Sequence, residues 1–207
     1  MNPGKAVASF FQPVSQKEPE PLRWRIVNRS LIVGKYVTPS QALEAPSTTS
    51  TRRKIAAFDL DDTLITAATG NKWAKSATGW KWWDVSVPAK LKNLHNDGYL
   101  VVILSNQGNI SLKDNPKTLQ KDAASLVNFK AQVTAMLRQL DLPISVYAAT
   151  EPDRYRKPRV GMWQEMLEDC DLGREESIDP KQSFYVGDAA GRAKTGKRRK
   201  DHACSDR

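Results

Sequence analysis

The sequence predicts an α/β protein built on a Rossmann-like parallel sheet. Three observations carry that expectation. Short apolar runs alternate with stretches of helical periodicity from residue 54 onward. Each run is bounded by polar or turn-forming residues. Three of the runs end in acidic or small polar side chains, as strands do when they deliver a site to one edge of a parallel sheet.

The elements follow in order. KIAAF is a continuous apolar run that leads into Asp59, Asp61 and Asp62. It reads as a short strand. Ser86 with Pro88 opens a helix, AKLKNLHND, which Gly98 stops. YLVVILSNQG is a second, continuous apolar strand ending in polar residues. Leu126, Phe129, Val133, Met136, Leu137 and Leu140 recur at helical spacing across residues 119–140. Residues 144–150 read as a third strand. Val160, Trp163, Met166, Leu167 and Cys170 mark a short amphipathic helix, and residues 183–188, SFYVGD, a fourth strand.

Residues 1–50 differ in character and are read as a partly ordered N-terminal extension and linker, with the main domain at 51–207. Within the extension, LRWRIVNRSLIVGKY predicts two short strands about a turn at residues 28–30. PSQALEAPSTTSTRR reads as a linker. There is no internal repeat.

Composition narrows the function classes. Among 207 residues, 32 Lys and Arg stand against 23 Asp and Glu, a net charge of +9 that favours a polyanionic partner. Hydrophobic residues make up 40%, enough for one core. No apolar run approaches the roughly 18 residues of a membrane-spanning helix, so no membrane partner is expected. The first residues lack the apolar stretch of a secretory leader. Two cysteines, Cys170 and Cys204, and two histidines, His95 and His202, make neither a disulfide framework nor a cysteine or histidine metal cage. A reducing, intracellular setting is expected.

Asp59, Asp61, Ser105, Asn106 and Asp188 all fall at predicted strand ends. A carboxylate there can attack phosphorus and form an acyl phosphate. A second, two residues on, can protonate a leaving alkoxide and later activate water. Two carboxylates with a third from another strand make a hard oxygen site suited to Mg²⁺. Ser105 offers a hydroxyl and an amide to phosphoryl oxygens, and Lys157 a positive charge. A lone Asp-x-Asp is more often a turn or a helix cap. The ordered arrival of Ser105, Lys157 and Asp188 counts against that simpler reading.

FDLDDTL, ILSNQ, RKP and VGD resemble the four motifs of the haloacid dehalogenase superfamily of phosphatases. FDLDDTLI, WKWWD, LSNQGNI, YRKPRVGMW, FYVGDAAGR and DHACSD further resemble the DNA 3′-phosphatase domain of the polynucleotide kinase/phosphatase family, over roughly residues 54–207. PVSQKEPEPLRWRIVNRSLIVGKY resembles the N-terminal lead-in of its fungal members. The resemblance implies Asp59 as nucleophile and Asp61 as general acid and base, with the Asp61 carbonyl on Mg²⁺. It implies Ser105 and Lys157 as phosphate-holding groups, and Asp188 as a metal ligand with Asp59. Thr63, Asn106, Trp82 and Arg192 are expected to contact substrate. The implied reaction removes a 3′-phosphate from a DNA strand break in repair, in the nucleus. Family members continue with another strand and helix, so the C-terminal end of the domain is expected to be missing.

Other readings stay in view: a phosphatase for a small phosphorylated metabolite, and a catalytically disabled binder of DNA ends. Trp73, Trp80, Trp82 and Trp83 among Lys72, Lys75 and Lys81 suit base stacking and phosphate tracking, or in part a core. The basic run Lys194, Lys197, Arg198, Arg199 and Lys200 suits a DNA backbone, a nuclear signal or a solvated loop. GRAKTGK has the spacing of a phosphate-binding loop, but Arg198 stands where its Ser or Thr belongs, so no kinase activity is expected of this chain. Val7, Phe10 and Phe11 have the spacing of a sliding-clamp peptide, although Gly4 replaces the usual glutamine.

Overall fold

The computed structural model describes residues 22–38, 52–69, 76–113, 116–173 and 177–189. Their elements run β1 (Leu22–Val27), β2 (Leu31–Tyr36), β3 (Lys54–Phe58), β4 (Ile65–Ala67), β5 (Trp80–Trp82), α1 (Val87–Asn96), β6 (Tyr99–Asn106), α2 (Leu119–Leu140), β7 (Ser145–Ala149), α3 (Gly161–Asp169) and β8 (Phe184–Val186). The long predicted strands and all three predicted helices are present.

Six strands form one sheet in the order β1-β2-β7-β6-β3-β8. β3, β6, β7 and β8 run parallel, whereas β1 and β2 join antiparallel through β2 and β7. β3 lies between two partners and carries helices over both faces. That is why Ile55, Ala56 and Ala57 are fully buried and the strand reads as an unbroken apolar run.

Two cores flank the sheet. On one face Ala56, Phe58, Ile103 and Val146 meet Val87 and Leu91 of α1 and Phe129, Val133, Met136 and Leu140 of α2. On the other Ile55, Ala57, Val102, Leu104 and Tyr147 meet Met162 and Met166 of α3. The chain passes from β3 to β6 to β7 toward one edge, then crosses back over α3 to β8 on the far side of β3. Strand order therefore reverses at β3, which opens a crevice above its carboxyl end.

The β1–β2 hairpin, which the sequence predicts as a local unit, belongs to this main sheet. Its turn has positive φ at Asn28 (49°) and Arg29 (52°), the backbone of a tight hairpin turn, closed by Ser30 N–H on the Val27 carbonyl at 3.1 Å. Leu31, Ile32 and Val33 are buried against β7. Trp24 covers Gly34, where a Cβ would lie 2.6 Å from the indole, and reaches Phe129 of α2 at 6.1 Å between ring centroids. Arg25 adds ion pairs to Glu165 (3.0 Å) and Asp169 (2.6 Å) on α3.

A small second sheet, β4 with β5, follows the nucleophile-candidate turn. No helix among the described residues is long and apolar enough to cross a membrane.

Candidate active site

The loop after β3 places the first two carboxylates. Asp59 N–H bonds the Val186 carbonyl of β8 at 2.8 Å, which fixes the strand end. Its Oδ1 accepts the Leu60 N–H at 2.8 Å. The chain then turns sharply: Leu64 and Ile65 N–H both reach the Leu60 carbonyl (3.0 and 3.1 Å), and Asp62 takes the left-handed backbone with φ 54°. Leu60 is buried beneath the turn at 1% exposure. The apolar Leu60 thus pins the turn inward, while Asp59 Oδ2 pairs with Lys157 and Asp61 Oδ2 accepts from Gln107.

Asp61 and Ser105 are joined by a residue the sequence reading passed over. Gln107 Nε2 donates to Asp61 Oδ2 at 2.6 Å and to Ser105 Oγ at 2.9 Å. Ser105 sits at the end of β6 and is itself buried. Nothing in the spacing of LSNQ shows that the glutamine reaches across to the β3 loop.

Lys157 comes from the loop between β7 and α3. Asn106 holds that loop from both sides, accepting the Lys157 N–H on Oδ1 at 2.9 Å and donating Nδ2 to the Lys157 carbonyl at 3.2 Å. Asn106, expected to touch substrate, therefore commits its amide to positioning the lysine backbone. Further support comes from Gly161, whose missing side chain lets α3 start against the same loop. A Cβ there would strike the Arg154 carbonyl, its carbon at 2.8 Å. Lys157 Nζ reaches Asp59 Oδ2, the Leu104 carbonyl and Tyr185 Oη, each at 2.7 Å. Its three N–H bonds are all engaged. Tyr185, like Gln107, carries no spacing or motif signal of its own in the sequence.

Asp188 follows β8 and shares the electrostatic field of Lys157 and Tyr185 with Asp59. Burial lowers the Lys157 pKa, against the raising effect of Asp59, Asp188 and Asp61. Burial raises the Tyr185 phenol, with Asp59 and Asp188 adding to it, so the hydroxyl keeps its hydrogen. Asp61 is pushed up to about 6, mainly by burial, with Asp59 and Asp62 adding and with Gln107 and Lys157 opposing. A carboxyl whose pKa is raised toward the working pH is what general acid–base catalysis needs.

That shift has a stability consequence. Folded Asp61 keeps its proton to about pH 6, whereas an ordinary Asp releases it near 3.8. The folded state binds the extra proton, so stability falls as pH rises from about 4 to about 6. With EDTA present, Asp61→Asn is expected to stabilise the protein by about 2–3 kcal/mol more at about pH 8 than at about pH 4, relative to wild type. Urea denaturation at the two pH values measures it, and equal differences at both would refute it.

Trp82 packs against the main core and meets Trp80 edge-on at 5.2 Å, with its Nε1 buried and without a hydrogen-bond partner. Trp83, next in sequence, is the exposed one at 60%. Thr63 lies in the turn with its Oγ1 buried and unpartnered. Arg192, Trp73, the basic run, the DHACSD segment and the clamp-like Val7, Phe10 and Phe11 lie outside the described residues.

Among the described residues no three His, Cys, Asp or Glu side chains form a metal cage. The expected donor set asks for less: two carboxylates, Asp59 and Asp188, and the Asp61 carbonyl. These are hard oxygens around a site with one lysine against several acids. Such a set fits a Mg²⁺ ion, which keeps several waters and takes few protein ligands.

The parallel sheet with helices on both faces has the fold of a HAD-like phosphatase. A solved structure from Mesorhizobium loti described as a HAD-like phosphatase shares the fold, with a TM-score of 0.53 at 15% identity over 82% of this chain and 74% of that one. Residues 54–207 match the family profile described as Polynucleotide kinase 3 phosphatase, and the chain belongs to that family. It is 39% identical over 171 residues to the bifunctional polynucleotide phosphatase/kinase of Schizosaccharomyces pombe, covering 83% of this chain and 36% of the relative. It is 36% identical over 163 residues to the polynucleotide 3′-phosphatase ZDP of Arabidopsis thaliana, covering 74% of this chain and 21% of that protein. The chain thus spans about a third or less of these relatives' lengths.

Proposed function

We propose that this chain is a Mg²⁺-dependent DNA 3′-phosphatase that acts through an aspartyl-phosphate intermediate. The observation that carries the reading is the pairing of Asp59 Oδ2 with Lys157 Nζ at 2.7 Å, two residues from half-buried Asp61, whose pKa is pushed up to about 6. A nucleophile, a cation for the transferring phosphoryl group and an acid for the leaving oxygen meet at one crevice.

An Asp59 carboxylate oxygen bonds to phosphorus as the P–O3′ bond breaks. The electron pair goes to O3′, which takes the Asp61 proton and leaves as the 3′-hydroxyl. Water then attacks the phosphorus of the aspartyl phosphate and gives a proton to Asp61. The acyl-phosphate P–O bond breaks, which restores Asp59 and releases inorganic phosphate. As Asp59 Oδ2 turns to phosphorus, the Lys157 N–H it held passes to a phosphoryl oxygen, and with the Ser105 hydroxyl it stabilises the charge there. Asp59, Asp188 and the Asp61 carbonyl would hold Mg²⁺, which when bound offsets repulsion between the carboxylates and the incoming phosphate.

Polynucleotide rather than small-molecule substrates are supported by the names of the family and its relatives and by the net charge of +9. Exposed Trp83, beside the β4–β5 sheet, adds an aromatic face on which a base could stack. With DNA ends as substrate, the chain acts in strand-break repair in the nucleus. The test is phosphate release from a 3′-phosphorylated oligonucleotide, its 5′-phosphorylated counterpart and a sugar phosphate, with Mg²⁺ and with EDTA. Release confined to the 3′ end and lost in EDTA is expected. Faster turnover of the sugar phosphate would overturn the substrate assignment.

A further inference from the structure

Gln107 follows β6 directly and touches both β7 and the loop after β3. Its backbone is pinned by its own N–H on the Ala149 carbonyl at 2.7 Å and by the Ile110 N–H on its carbonyl at 3.1 Å. Its side chain places both amide hydrogens, one on Asp61 Oδ2 at 2.6 Å and one on Ser105 Oγ at 2.9 Å. One neutral amide therefore connects the β3 loop to the end of β6.

We propose that Gln107 is a positioning residue that sets the direction of proton donation at both catalytic groups it touches. A primary amide nitrogen only donates. Asp61 Oδ2 accepts from it, so the proton delivered to the leaving O3′ is carried on Oδ1, the oxygen turned away from Gln107. Ser105 Oγ accepts as well, so its own hydrogen is free for a phosphoryl oxygen. Without the amide, the Asp61 carboxyl can rotate and the serine hydroxyl can turn toward Asp61. Acid catalysis of leaving-group departure then falls, because it depends on a donor held in line with the developing alkoxide.

This inference rests on the phosphatase reading above, and the test separates the two. Single-turnover phosphoryl transfer is measured for wild type and Gln107→Met with two substrates. One is a 3′-phosphorylated oligonucleotide, whose alkoxide must be protonated as it leaves. The other is p-nitrophenyl phosphate, whose phenolate leaves without a proton. The variant is expected to lose about 10²-fold on the oligonucleotide. The loss on p-nitrophenyl phosphate is expected to be at least about tenfold smaller, with KM within about threefold of wild type for both.

Equal losses on the two substrates would overturn the proposal, as would a raised KM with unchanged kcat. Gln107→Leu removes the donor without adding a charge, and it carries the same expectation if the methionine variant folds poorly. Should wild type spare the oligonucleotide yet turn over p-nitrophenyl phosphate, the substrate assignment fails by itself. Gln107 is then judged on the second step, in which Asp61 accepts a proton from water with either substrate. A retained burst with about 10²-fold slower steady turnover supports the proposal, and unchanged turnover overturns it.

Discussion

Replacing Asp59 with Asn is expected to lower phosphate release by about 10⁴-fold or more, because an amide oxygen cannot serve as the displaceable nucleophile. The fold should survive the change. Lys157 loses one acceptor but keeps the Leu104 carbonyl and the Tyr185 hydroxyl, and Asp188 and Asp61 remain in its field. Asp61 gains from the loss of a like charge beside it. These effects oppose each other, so the stability change should stay within about 1 kcal/mol. Oligonucleotide binding measured beside turnover would show an inactive site that still takes its substrate.

The second large effect is expected at Lys157, and there activity and stability should fall together. Lys157→Met removes the cation held 2.7 Å from Asp59, at a site where the two side chains are only 19% and 15% exposed. Phosphoryl transfer is expected to slow by about 10²–10³-fold, the usual loss when a preorganised charge-stabilising group is removed. The acids of the cluster are left without their lysine. Breaking such a pair from one side costs about 3–5 kcal/mol when it is fully buried, and this partly exposed pair should approach the lower figure. Denaturation in EDTA measures that cost. A variant as stable as wild type would show that Lys157 does not balance the acidic cluster.

The contrast between these variants shows where the site was legible in the sequence and where it was not. Asp59, Asp61, Ser105 and Asp188 could be placed because an unbroken apolar run announces a buried strand, and strand ends in a parallel sheet share one edge. The structure pairs Asp59 with Lys157, joins Asp61 to Ser105 through Gln107, and sets Asp61 and Asp188 in the field of Lys157. Lys157 lies on a loop, where no periodicity points, and only the motif RKP marked it. Gln107 and Tyr185 act through side-chain reach between separate loops and strands, which residue order does not encode.

The fold divides in the same way. Helix α2, with its five buried apolar residues on one stripe, was visible from spacing alone. Strands β4 and β5 have three residues each, too few to show a period. The β1–β2 turn was readable from NRS, but its partner β7 lies more than 100 residues along the chain, and nothing local names it. Trp82 and Trp83 are indistinguishable in sequence. Pairing with β4 turns the first toward the core and leaves the second in solvent.

The most direct test of the central claim is to trap the phosphoryl group on the protein. Wild type is mixed with a 3′-phosphorylated oligonucleotide and Mg²⁺, quenched in acid within one turnover, digested and mapped by mass spectrometry. One phosphoryl group on the peptide holding Asp59, absent from the Asp59→Asn variant, is the predicted result. Phosphate released at full rate with no phosphoryl group on that peptide, or a phosphoryl group on another residue, would contradict it.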